Sequence, residues 1–439
     1  MGMKTNIGSE GIHDARQLGL PKMLILGLQH AFAMFGATVL VPLLTGLSVS
    51  TTLLMAGLGT LFFHLVTKGK VPAFLGSSFA FLGGYAAIAP MLADNVPNKE
   101  MLPYACLGVA AAGLVYLILS ALFKVFGVNK IMRFFPPVVT APIIIAIGLT
   151  LAPSAITNCQ QNWILAVIAL GTIIVCNIWG KGMVKIIPII IAIVVSYIVA
   201  IFMGEINFTA VKEAAWFGLP LDSKAFAFNA FQNSSMAITA IIAIVPISLA
   251  TMMEHIGDIS AISATCNRNF LADPGLHRTL LGDGVATTLA SLFGGPANTT
   301  YGENTGVLAL TKVYDPKVIR IAACVAVVLS FSPKVAAIIS TIPYAIIGGI
   351  SLILYGMISG IGLRSVVENK VDFTKSRNLI IVAVILVTAL GFADTGLTFH
   401  IGSVSITLTG LAIAAILGIV LNAAIPGNDY VFMSEENKD

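Results

Sequence analysis

Three carboxylates, Glu254, Asp258 and Glu303, stand in sequence that is otherwise nearly free of charge and long enough to cross a bilayer. An ionised acid at mid-membrane costs roughly 2.5 to 3.5 kcal/mol on insertion scales, and acids retained there by default serve a substrate or ion pathway. Glu254 and Asp258 are four residues apart. On a helix they share one face, a turn from each other, with His255 rotated by about 100 degrees. Two acids so close in a poorly solvated cavity are not both ionised, because desolvation and mutual repulsion each favour the protonated form. Such a pair exchanges a proton near neutral pH, the chemistry a proton-coupled carrier needs. Glu303 opens an expected half-helix, where the macrodipole favours the anion, so it can stay charged and accept hydrogen bonds from substrate N–H groups. Structural roles compete with these: Glu303 as a helix-start acid only, Glu254 at the cytoplasmic end of a shifted span, and Asp258 as a partner of Arg268. His30 and His255 read as interior or interfacial histidines, Gln29 as a group that satisfies polar neighbours, and Phe79 as either packing or a face on which a planar ligand stacks.

The elements that position these residues lie in lipid. The chain of 439 residues is 57% hydrophobic and 10% charged, against about 25% charged in an ordinary soluble domain, which makes it an all-α integral membrane protein. Apolar runs fall at 23–47, 52–66, 73–90, 102–123, 134–152, 163–179 and 186–203, then at 235–264, 279–293, 303–310, 319–332, 335–361, 379–392 and 401–425. That is fourteen expected transmembrane segments, seven on each side of a polar stretch. With a cytoplasmic amino terminus, alternation puts 20 of the 24 Lys and Arg inside and leaves only Lys99, Lys212, Lys224 and Lys334 outside, as the positive-inside rule requires. Both termini are therefore expected to be cytoplasmic, residues 1–21 and 428–439 as short polar tails and 205–232 as an extracytoplasmic connection. The net charge of +4 follows from this loop bias and implies no nucleic acid. Five cysteines without CxxC spacing indicate neither disulfides nor a metal site.

Seven crossings per half give two inverted repeats, 22–204 and 233–427. Gln29-His30 matches Glu254-His255 at an offset of 225, and Pro72-Ala73 matches Pro296-Ala297 at 224. Inverted repeats place the substrate near the midplane, where Gly/Pro-interrupted segments face each other. The third and tenth spans carry such interruptions, in 70–79 and 295–304, and each reads as a short extended strand running into a half-helix. Extended backbone at that depth is tolerable only if the two pieces pair or line a cavity. The half-helix amino termini, expected near Ser78 and Glu303, would present free N–H groups to an electronegative ligand atom.

Glu303-Asn-Thr-Gly-Val-Leu-Ala-Leu-Thr-Lys312 resembles the signature of the nucleobase/ascorbate transporter (nucleobase:cation symporter-2) family. Gln29-His-Ala-Phe-Ala-Met-Phe-Gly-Ala-Thr-Val39, Gly76-Ser-Ser-Phe-Ala-Phe81 and Glu254-His-Ile-Gly257 resemble its other blocks, so the likeness covers nearly the whole chain. Asn298-Thr-Thr-Tyr-Gly-Glu-Asn304 with Asp273-Pro-Gly-Leu-His-Arg278 is most similar to bacterial members that carry uracil. The resemblance implies core domains (22–125 and 233–332) and gate domains (130–204 and 335–427), and a homodimer through the gates. It implies that Glu254 and Glu303 hold the N–H and carbonyl edge of a pyrimidine. Backbone groups of Phe79 and Gly302 would meet its oxygens, Ala37 would line the pocket, and Tyr355 would face the core from the gate. Where some members have a histidine one turn after the eighth-span glutamate, this chain has Asp258, expected to carry the coupling proton with Glu254 and Tyr355. The expected function is uracil import with a co-transported proton, without a cofactor, by alternating access in the cytoplasmic membrane. A purine permease of the same family is the nearest alternative. An ion channel would want a continuous polar stripe, and a membrane-embedded enzyme a nucleophile or HExxH constellation, neither of which is evident.

Overall fold

The computed structural model describes residues 11–92, 95–393, 395–401, 404–427 and 430. Residues 1–10 of the expected amino-terminal tail, and all of the carboxy-terminal one except Tyr430, lie outside the described residues. In the first half the chain forms α1 (Leu20–Thr45), α2 (Val49–Val66), the strand β1 (Leu75–Ser77) leading to a short α3 (Leu82–Ile88), α4 (Leu102–Phe126), a link α5 (Val128–Met132), α6 (Pro137–Cys159), α7 (Trp163–Trp179), a one-turn α8 (Met183–Ile186) and α9 (Pro188–Phe202). The connection carries α10 (Thr209–Glu213). The second half forms α11 (Ser234–Ile244), α12 (Ile247–Cys266), α13 (Leu276–Leu292), β2 (Asn298–Thr300) leading to α14 (Gly302–Thr311), α15 (Pro316–Ser330), α16 (Pro333–Ser340), α17 (Tyr344–Glu368), α18 (Ser376–Gly391), a hairpin of β3 (Leu397–Ile401) and β4 (Val404–Leu408), and α19 (Gly410–Ala424).

Local sequence sets many of these boundaries. Prolines open α6, α9, α15 and α16, where the missing N–H costs nothing. Ser48, Asn162, Asn233 and Thr409 cap α2, α7, α11 and α19 with side-chain oxygens. Among the described residues six helical stretches are long and apolar enough to cross a bilayer: α1, α2, α4, α6, α11 with α12, and α17; the pair α15–α16, bent by 87°, makes a seventh. Four shorter apolar helices accompany them, α7, α9, α18 and α19.

Three expected runs are broken. The run 235–264 divides at Val245-Pro246 between α11 and α12, and 335–361 divides before Pro343 between α16 and α17, because proline cannot continue the ladder of helical hydrogen bonds. The run 401–425 is part strand: β3 and β4 pair antiparallel before α19 starts, in a stretch whose Thr, Phe, Ile and Val suit a pleated surface. The expected half-helix near Ser78 begins later, at Leu82, after a turn closed by Leu82 N–H and Phe79 C=O.

The helices pack in two groups. In one, α4 lies along α13 and α11, α2 along α13 and α15, and α1 along α15; in the other, α6 lies along α17, α18 and α19, and α7 along α9 and α17. Small residues bring backbones close in both. A Cβ at Gly284 of α13 would stand 2.9 Å from the Gly113 carbonyl of α4, and one at Gly362 of α17 would stand 2.7 Å from the Ala141 carbonyl of α6. The first group holds the two strands between its helices.

Candidate functional site

β1 and β2 pair antiparallel, with Leu75 opposite Thr300, Gly76 opposite Thr299 and Ser77 opposite Asn298. Ser78 N–H donates to the Ala297 carbonyl at 2.9 Å and Tyr301 N–H to the Phe74 carbonyl at 3.0 Å, extending the ladder at both ends. The outer edges of so short a ribbon would expose unpaired groups, which is costly away from water. A threonine from the preceding helix occupies each edge. Thr60 of α2 accepts from Leu75 N–H at 2.9 Å and donates to its carbonyl at 3.2 Å, while Thr287 of α13 does the same for Asn298, at 3.1 Å in both directions. Gly76 lets the ring of Tyr301 lie against the strand, since a Cβ there would run into it. The Tyr301 hydroxyl donates to the Ser77 carbonyl at 3.0 Å and meets Ser77 Oγ at 3.1 Å and Thr38 Oγ1 at 3.3 Å.

The acids converge on this ribbon. Glu303 sits in the first turn of α14, whose N-cap Tyr301 provides no side-chain cap, so the uncapped N–H groups and dipole of that turn favour negative charge. Glu254 and Asp258 lie one turn apart on α12, each partly buried. Asp258 accepts a hydrogen bond from Thr300 Oγ1 at 2.8 Å, so its partner is β2 and not Arg268. Glu254, Asp258 and Glu303 act on one another electrostatically, as does a fourth acid, Asp283 of α13. Asp283 is fully buried beside His255, with Oδ2 2.8 Å from Nδ1. His255 therefore faces α13, whereas Asp258, three residues on, meets β2. Gly257 and Gly302 have open space where a Cβ would be, which keeps the surface around the acids free of side chains.

The remaining expected residues are placed as follows. Phe79 and Gly302 each stand one residue beyond the ladder bonds of Ser78 and Tyr301; Phe79 is partly buried and Gly302 exposed. Ala37 is buried in α1, its carbonyl 3.5 Å from Ser77 Oγ. Tyr355 is buried in α17, packed against α6 where Gly148 leaves room for its carbonyl, whereas Leu354 lines the cleft. That cleft is a cavity of about 480 Å³ between the two helix groups, with Glu303, Gly306 and Phe32 on one wall and Asn177, Ile189 and Leu354 on the other. His30 is buried, and Asn304 of α14 donates to its carbonyl at 3.1 Å.

Asp283, Thr60, Thr287 and Tyr301 were not singled out by the sequence. An acid inside the ninth apolar run was a visible signal for Asp283. A threonine that locks a strand from a neighbouring helix carries no local signature.

Residues 21–397 match a family model described as a permease family. A Bacillus caldolyticus protein named uracil permease is 41% identical over 440 aligned positions, 97% of each chain. The uracil permease of Escherichia coli (strain K12) is 37% identical over 408 positions, 90% of each. Among solved structures, the transmembrane domain of the cyanobacterium bicarbonate transporter BicA matches with a TM-score of 0.63 at 17% identity, covering 94% of this chain and 99% of that one. SLC26A9 matches at 0.65 and 12% identity, covering 94% and 66%; at such identities these likenesses show a shared fold alone. Matched along most of its length by the family model and by these relatives, the chain belongs to the permease family of nucleobase/ascorbate transporters.

Proposed function

We propose that the chain imports uracil with protons across the cytoplasmic membrane by alternating access. The observation that carries this reading is Glu303, on the uncapped first turn of α14 at the wall of a cleft between two helix groups, within electrostatic reach of Glu254 and Asp258. Relatives named uracil permease support the substrate, and they are permeases, not enzymes. Uracil offers two ring N–H donors and two carbonyl acceptors. An N–H donates to an ionised carboxylate, whereas a carbonyl can accept only from a protonated one. Acids that hold both edges of the base therefore bind it with a proton aboard, and this links the two cargoes. In this reading Glu254 and Glu303 hold the base, backbone groups of Phe79 and Gly302 meet its oxygens, Ala37 borders the pocket, and Glu254 shares the exchangeable proton with Asp258, with Tyr355 taking part from the opposite, gate side.

The reading includes fourteen spans in two inverted repeats of seven, with the strands in spans three and ten, core domains that carry the acids and gate domains that close over them. The strand register supports the repeat. Adding 224 to one member of a pair and subtracting it from the other turns Leu75–Thr300 into Thr299–Gly76, the neighbouring pair. The ladder is thus unchanged by exchanging the halves, as a two-fold axis in the membrane plane requires. The loop charges support cytoplasmic termini.

Uptake of labelled uracil into proteoliposomes under an imposed proton or sodium gradient, with a panel of competing nucleobases, tests the proposal. Uphill accumulation driven by protons and competed best by uracil is expected. Accumulation driven by sodium, or competed best by a purine, would overturn the coupling or the substrate respectively.

A further inference from the structure

We propose that Asp315, acting through the docked segment 11–18, is a positioning residue for Glu303; the inference rests on Glu303 as the substrate-binding acid. The amino-terminal residues expected to form a short polar tail are, from Gly11 onward, laid against the turn that follows α14. Ile12 N–H donates to the Lys312 carbonyl at 2.7 Å, and Tyr314 N–H donates to the Ile12 carbonyl at 2.8 Å. The rings of His13 and Tyr314 stand 5.3 Å apart. Ala15, Val313 and Val318 are buried together beneath Ile12, Leu18 and Met23. At the centre is Asp315, only 4% exposed. Its Oδ2 accepts from Ala15 N–H at 2.8 Å and its Oδ1 from Lys317 N–H at 2.9 Å, so one carboxylate caps α15 and anchors the segment. Lys317 Nζ closes the cluster at 3.4 Å from Asp14 and 3.5 Å from Asp315.

The effect on Glu303 follows from the size of α14. That helix has only 10 residues and is held by packing on α1 and α12 and by the bonds at its two ends, so a change at either end is felt along the whole helix. Two anchors come from one stretch of chain. Near the amino end, Asn304 is bonded to His30 of α1; at the carboxyl end, Lys312 turns the chain with φ of 53°, a conformation a lysine rarely adopts, and its carbonyl is held by Ile12. Because segment 11–18 runs through Gly19 into α1, the two together bracket α14 from end to end. Loosening the carboxyl-end anchor lets the short helix shift and moves the acid in its first turn.

The test is the KM and maximal rate of labelled uracil uptake by the full chain in proteoliposomes, for wild type, Ile12→Pro, Asp315→Ala and Asp315→Asn. Ile12→Pro deletes one donor N–H outside the helices. Ile12→Pro and Asp315→Ala are expected to raise KM about tenfold, the cost of weakening one hydrogen bond to a charged group, with the maximal rate within about twofold. Asp315→Asn keeps one acceptor oxygen, which can serve Ala15 N–H only by turning its NH2 toward Lys317 N–H, and is expected to recover part of the loss. An unchanged KM in Ile12→Pro overturns the proposal, as does a lowered maximal rate at unchanged KM, which would assign the segment to the conformational step. Where Asp315→Ala does not reach the membrane, Ile12→Pro decides. A wild type that takes up no uracil refutes the proposed function instead, whereas a raised KM in Glu303→Gln beside a normal Ile12→Pro refutes this inference alone.

Discussion

Thr300 donates its hydroxyl to Asp258 across 2.8 Å, so the second strand of the central ribbon and the acid-bearing helix α12 are joined through a carboxylate. In the proposed mechanism, this bond ties the strand to the acid that exchanges the proton. Replacing Thr300 by Val keeps the shape and removes the donor. A hydrogen bond to a charged group contributes roughly 1.5 to 3 kcal/mol, so uracil uptake should fall by about ten- to a hundredfold in Thr300→Val and by much less in Thr300→Ser. Equal uptake by wild type and Thr300→Val would remove Thr300 from the mechanism.

Glu303→Gln keeps the size of the side chain and removes its charge. The amide oxygen is a weaker acceptor, and equilibrium binding of uracil should weaken by at least about tenfold. A scintillation proximity or calorimetric measurement on purified protein reads this directly.

Asp258→Asn should separate the two cargoes. Exchange of uracil down its own gradient is expected to persist, while uphill accumulation driven by protons is lost. Retained accumulation under a proton gradient would show that the proton travels elsewhere.

The threonine locks predict an equivalence between the halves. Thr60→Val leaves Leu75 N–H without its partner, and Thr287→Val does the same to Asn298 N–H. Each should destabilise the protein by about 1 to 3 kcal/mol, the cost of an unsatisfied buried donor. Thermal midpoints in detergent should fall by similar amounts for the two variants, and a loss confined to one of them would argue against equivalent roles.

A pH dependence is expected on the exposed face. Lys70 Nζ lies 2.5 Å from Asp273 Oδ2, and this hydrogen bond holds the Asp273 carboxyl below its ordinary value of 3.8. A depressed carboxyl contributes its stability in full above the ordinary value and loses it as pH falls through the lower, folded one. The difference in thermal midpoint between wild type and Asp273→Asn should therefore be constant near neutrality and shrink only below about pH 3.8. Since both groups are exposed, the gap is small throughout.

Much of this molecule was legible in order of residues alone because membrane sequence makes exceptions conspicuous. Glu254, Asp258 and Glu303 stood out where hydrocarbon tolerates little charge, and the Pro/Gly interruptions in 70–79 and 295–304 pointed to extended backbone. Proline also ended helices at 246 and 343, within runs that hydropathy alone joined. The β3–β4 hairpin was missed because apolar strand and apolar helix share a hydropathy profile over so few residues.

The sequence by itself determined which ionisable groups lie among the apolar runs and that helix is interrupted ahead of Ser78 and Glu303, since both follow from each residue's own solvation and backbone freedom. Only the tertiary structure decided the partners: His255 with Asp283, Asp258 with Thr300, Thr60 and Thr287 with the strand edges, Asp315 with Ala15. Those pairs join residues distant in the chain, and a hydrogen bond depends on ångström-scale placement that no local pattern encodes.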